Sequence, residues 1–127
     1  MDLLAFKHPL AGKQFVKGSI EAAEHPKAAA ARELLEESGL SSITFERKLA
    51  RVRIGATQEL WHFYSAPSAN LPEHWMHRAP DDGGHDFSFF WHPLAQDLDR
   101  DWHPIFHEAL AVIRQSLSPF EQGGSRG

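Results

Sequence analysis

A chain of 127 residues fits one compact domain and is long enough to build a hydrophobic core. Its net charge of −4, from 13 basic and 17 acidic residues, supplies no broad positive field, so a nucleic-acid polymer is not an expected partner. The absence of cysteine excludes disulfides, thiolate nucleophiles and cysteine-ligated zinc; no apolar run suits a signal peptide or a membrane span, so a cytoplasmic protein with no membrane partner is expected.

In chain order, residues 3–8 (LLAFKH) read as a short strand, followed by a turn that contains Pro9 and Gly12. Residues 13–18 form a second extended piece. Pro26 suits the first turn of a helix, residues 28–37 are mostly strong helix formers, and Gly39 is a left-handed stop. Three further strands are expected. ITFERKLARVRI alternates at Lys48, Ala50, Val52 and Ile54; ELWHFYSA is rich in aromatics; DFSFFWHPL is the third. Residues 67–85, between the last two, carry Pro, Gly, Asp and His and read as a long loop of the kind that often serves function. Ile105, Phe106, Ala109, Leu110, Ile113 and Leu117 make one apolar helical stripe, and residues 121–127 read as a disordered tail. Strands interleaved with two helices give an α/β (α+β) domain over residues 1–120, with a mixed sheet covered on its faces.

The first helix poses a chemical question. At 100° per residue, Glu33, Glu36 and Glu37 occupy about one third of its circumference. Ala28, Ala31, Leu34 and Leu35 cluster opposite and are expected to meet the sheet. Glu33 and Glu37 are like charges one turn apart, close to the negative end of the helix, and each effect costs a few tenths of a kcal/mol. Arg32 relieves part of this repulsion, but one cation cannot neutralise three carboxylates. A hard divalent ion can, because Mg2+ and Mn2+ prefer carboxylate oxygens and keep positions open for water and phosphate. The competing reading is a solvated acidic face.

The spacing decides between them. Residues 18–40 fit G-x5-E-x7-R-E-U-x-E-E-x-G-U, where U is a bulky aliphatic residue, through Gly18, Glu24, Arg32, Glu33, Leu34, Glu36, Glu37, Gly39 and Leu40. A chance match to its fixed positions is on the order of one in a million. The pattern is the Nudix box, and the chain resembles a Nudix hydrolase.

The resemblance implies an α/β/α sandwich and hydrolysis of a nucleoside diphosphate linked to another moiety, with Mg2+ or Mn2+ as cofactor and a small nucleotide-type molecule as substrate. It implies Glu33, Glu36 and Glu37 as metal ligands, joined by the backbone carbonyl of Lys17, with Glu33 the alternative general base. Arg32 would orient the carboxylates in partnership with Glu24, while Gly18 and Gly39 shape the loop–helix–loop. Two departures stand out. Ala23 replaces the glycine that many members carry before Glu24. Only about two residues precede the first strand, so a strand common in the family is expected to be shortened or lacking, and the uncovered edge to favour a homodimer.

Substrate choice lies outside the box. Trp75, Asp82 and Asp86 in or beside the long loop are the substrate-binding candidates, Trp75 as a base-stacking surface, and Glu59, Asp82 and Asp86 are the candidates for a late metal ligand or base. Trp61 and Trp91, on strands, are expected in the core. His103 and His107 are four residues apart but lack the glutamate of a zinc helix, so ordinary capping or surface roles are expected. The alternative to an enzyme is a Nudix-fold module that senses a nucleotide without cleaving it.

Overall fold

Alternation along the first strand sets the layers. In a computed structural model, β1 (Asp2–His8) directs Leu3 and Ala5 to one face and Leu4 and Phe6 to the other. The structure describes every residue except Ser42, 67–69, 81–82 and Gly127, with side chains as far as Leu117. On the first face Ala5 joins Phe15, Leu98, Trp102, Phe106 and Leu110 in a core closed by α2 (Pro104–Arg126). On the second, Phe6 packs with Ala79, Phe87 and Phe89, its ring stacked on Phe87 at 4.4 Å between centroids. Helix α1 (Pro26–Ser38) lies on that side, against β4, β5 and β6. The result is the expected α/β/α sandwich of α+β class.

The strands divide into two sheets. β2 (Gly12–Phe15), β1, β6 (His85–Pro93) and β5 (Trp75–Ala79) form four strands in the order β2-β1-β6-β5. β3 (Arg47–Ile54) and β4 (Glu59–Ser65) form a separate hairpin. Among the described residues all these ladders are antiparallel, and the parallel pairing is an isolated bridge between Lys13 and Trp102.

Two expectations change. The stretch 67–85 is not loop throughout, because β5 lies inside it and pairs Trp75 with Phe89 and Ala79 with His85. Its residues Met76, His77 and Arg78 belong to a sheet-edge strand with one face exposed, and none of them is a β-branched or aromatic strand former, which weakens the sequence signal. The alternation in β3 breaks at Leu49, where the register shifts between Lys48 and Ala50. This bulge sends Lys48 to the face opposite Ala50, Val52 and Ile54. Helix α2 runs from Pro104 to Arg126. Among the described residues no helix is long and apolar enough to cross a membrane.

Candidate active site

Helix α1 begins and ends where its sequence predicts. His25 is its N-cap, with Nδ1 accepting the Lys27 backbone N–H at 3.1 Å, and Pro26 takes the first helical position. At the other end Gly39 adopts φ 81°, and its N–H reaches the Leu35 carbonyl at 2.9 Å. A side chain at position 39 would also meet the His77 ring from β5.

Of the predicted buried face of α1 only Leu34 is buried. Ala29, Leu34 and Ser38 are buried, Glu33 and Glu37 are half-buried beside them, and Ala28, Ala31 and Leu35 face solvent. The helix is therefore rotated so that two of its carboxylates turn inward. The loop before it explains the rotation. The Lys17 backbone N–H donates to Glu37 Oε1 at 3.3 Å, and Gly18 lies so close to Glu33 that a Cβ there would fall on the carboxylate. Those contacts draw the acidic residues towards residues 17–18, while the aliphatic residues on the opposite arc stay outside.

Arg32 organises the rest. Its Nε and Nη2 donate to the two oxygens of Glu24 at 2.9 and 3.1 Å, a bidentate pair with planar fork geometry. Nη2 also donates to the Ser19 carbonyl at 2.8 Å, while Nη1 donates to Glu33 at 2.9 Å and reaches Glu36 at 3.4 Å. Glu24 Oε1 in turn accepts the Glu21 backbone N–H at 3.0 Å. One guanidinium thus fastens the 18–24 loop to the helix that follows. Ala23, in the place where a glycine is common, takes φ 62°, so the loop keeps a left-handed residue there at some strain.

The pair bears on the acidity of Glu24. The Arg32 hydrogen bond, aided by the Glu21 N–H, holds the Glu24 carboxyl below its ordinary value of 4.5, and the carboxylates raise Arg32 above its own. A carboxyl depressed on folding stabilises fully above its unfolded pKa and loses that contribution as pH falls through the folded value. Urea midpoints measured from pH 6 down to pH 3 should therefore show wild type more stable than Glu24→Gln at pH 6, with the gap closing on acidification. A gap independent of pH would show that the pair contributes no such linkage.

Beside the box opens a cleft of about 1160 Å³ between α1, the start of β1, the 15–20 segment, β4 and α2. Lys17, Gly18 and Glu33 stand on its wall, with Phe15, Trp61 and Tyr64 among its aromatic lining. The Lys17 ammonium sits 5.5 Å above the Trp61 ring. Glu36 and Glu37 lie outside the lining, one turn of helix away.

The donor set suits a hard divalent ion: three carboxylates on one helix, beside a glycine whose missing Cβ leaves room for one of them. Among the described residues no three acidic or histidine side chains converge as a ready-made cage, and Arg32 Nη1 reaches both Glu33 and Glu36.

The remaining candidates lie apart. Trp75 donates its indole N–H to the Ser38 carbonyl at 3.0 Å and stacks on Phe89 at 5.0 Å, so it fastens the end of α1 to the sheet and does not line the cleft. Asp86 pairs with Arg78 at 3.3 Å across β5 and β6, again away from the cleft. Asp82 lies outside the described residues. Glu59 and half-buried Trp61 and Trp91 do line the cleft. His103 Nδ1 accepts the Ile105 N–H at 3.2 Å, and His107 Nε2 lies 3.2 Å from the Asp99 carbonyl; both serve local structure.

The model of the NUDIX domain matches residues 3–112. The chain belongs to the Nudix family. No curated protein and no solved structure matches it. The match runs well beyond the box at both ends and takes in the sheet, the hairpin and the start of α2. Nudix enzymes are in general pyrophosphohydrolases that use divalent metals and act on small nucleotide-type molecules.

Proposed function

We propose that this Nudix chain hydrolyses a phosphoanhydride bond in a nucleoside diphosphate linked to another moiety, with Mg2+ or Mn2+ as cofactor. Glu33, Glu36 and Glu37 would hold the ion, with the Lys17 backbone carbonyl. The observation that carries this reading is the inward turn of α1, which brings Glu33 to the cleft wall and half-buries Glu37 behind it, at the cost of exposing Leu35 and two alanines. A helix folding for packing alone would bury the aliphatic arc.

When bound, the divalent ion supplies charge neutralisation at the phosphate oxygens and acidifies water. The chain's own residues do the rest. Glu33, the box carboxylate on the cleft wall, would either join the ion's ligands or, in the alternative role, take a proton from the attacking water. The water meets phosphorus in line with the departing phosphate, a geometry that depends on how firmly the substrate is held. Arg32, fixed by Glu24 and the Ser19 carbonyl, keeps Glu33 and Glu36 from drifting apart. Lys17 offers a positive charge to the phosphates, and the aromatic wall excludes water around the rest of the molecule.

Phosphate or nucleotide release from a panel of nucleoside diphosphates joined to sugars, alcohols and nucleosides, with Mg2+ or with chelator, tests this. Release that requires Mg2+ is expected. Saturable binding of a nucleotide with no release under any metal would replace the enzyme with the sensing module.

A further inference from the structure

The hairpin carries cations that the hydrolytic reading leaves unused. The bulge at Leu49 places Lys48, Arg51 and Arg53 on one face with Leu60, His62 and Tyr64, since Lys48 pairs with Tyr64, Arg51 with His62 and Arg53 with Leu60. Arg53 is occupied by the turn, its Nη1 donating to the Gln58 carbonyl at 3.0 Å. Lys48 and Arg51 are exposed and make no ion pair with a carboxylate among the described residues.

Lys48 Nζ instead lies 3.2 Å from His62 Nδ1 and 5.8 Å from the centre of the Tyr64 ring. An ammonium has no lone pair, so in that contact Nδ1 accepts and the imidazole carries its hydrogen on Nε2. His62 and Tyr64 line the same cleft as Lys17, Gly18 and Glu33. Burial lowers the His62 pKa, and Lys48, Arg51 and His25 add like charge. Uncompensated positive charge at a cleft rim, on a chain of net charge −4, attracts an anion from outside.

We propose that Lys48, Arg51 and the Nε2–H of His62 form a phosphoanion subsite at the rim of the cleft, which receives a phosphate group of the substrate distant from the scissile bond. The identity of the occupant rests on the hydrolytic reading; the capture of a phosphoanion does not. It names a specificity element outside the box, on a different layer of the fold, and favours substrates that carry a further phosphate on the linked moiety.

Inorganic pyrophosphate, titrated into metal-free protein with chelator present, is the first probe, read through the His62 imidazole resonances by NMR. A saturable shift is expected, lost in the Lys48→Gln/Arg51→Gln double variant, while the resonances of buried His92 stay in place in both proteins. The second arm compares two hydrolysed substrates that differ by one phosphate on the linked moiety. In the double variant, the ratio of KM with that phosphate to KM without it should rise about tenfold, as for loss of a charge-assisted contact. No His62 shift at millimolar pyrophosphate, or a shift that survives the double substitution, overturns the subsite. An unchanged KM ratio overturns its assignment to substrate in favour of a free phosphoanion. A His62 shift with no turnover of any substrate upholds the subsite and removes the hydrolytic reading.

Discussion

Glu37→Gln should lower Mg2+-dependent turnover about 100-fold or more while leaving the thermal transition close to that of wild type. Glu37 is half-buried, and its Oε1 accepts the Lys17 backbone N–H at 3.3 Å. Glutamine has the same shape and can keep that bond through its amide oxygen, so the 17–18 loop keeps its seat on the helix. What it loses is a negative charge at the place where a divalent ion would be gripped. The measurement is a pair of steady-state rates with saturating Mg2+, accompanied by melting curves. Near-normal turnover would remove Glu37 from the metal site; a large fall in Tm would show that its part is architectural.

Gly12→Ala should act in the opposite way, on stability and far from the box. Gly12 opens β2 with φ 79°, a region costly for alanine, and an added Cβ would run into the Asp101 backbone carbonyl. That carbonyl accepts the Lys13 N–H at 3.1 Å, and the neighbouring bridge from Lys13 to Trp102 holds the indole in the main core. Backbone cannot move aside as a flexible side chain does. Strain and clash together should cost about 2–4 kcal/mol, seen as a fall of about 10 °C in Tm. Gly83→Ala is the control, because φ is 85° there but nothing lies within 4 Å of the added carbon. It should lose only about 1 kcal/mol. Equal losses at the two positions would show that the Asp101 contact contributes nothing.

The box was readable from sequence because its residues are dictated by chemistry. Carboxylates at fixed spacing, an arginine next to them and glycines at the loop ends have few other reasons to occur together. The bounds of α1 were also readable, since Pro26 and Gly39 act through local backbone preferences. The face that α1 buries was not. Helical periodicity points aliphatic residues inward by default, and only tertiary contacts from Lys17 and Gly18 turn Glu33 and Glu37 there instead. β5 was missed for a related reason, because Trp75 and Ala79 carry its burial while three polar or flexible residues stand between them. The single extra residue at Leu49 left no local mark either, yet it decides which side of the hairpin Lys48 occupies. Trp75 shows how an aromatic in a polar stretch misleads, since its ring is engaged by Phe89 and its N–H by Ser38.

The hairpin shares no ladder with the four-stranded sheet among the described residues, whereas the end of α1 is tied to β5 through Trp75. On the proposed function, reactivity and selectivity therefore rest on largely different supports, although β4 of the hairpin also touches α1. Sequence drift in one ribbon of 19 residues, from Arg47 to Ser65, can retune which molecule is chosen without loosening the acidic helix, so a lineage of such proteins can diversify its diet while keeping a single catalytic inheritance.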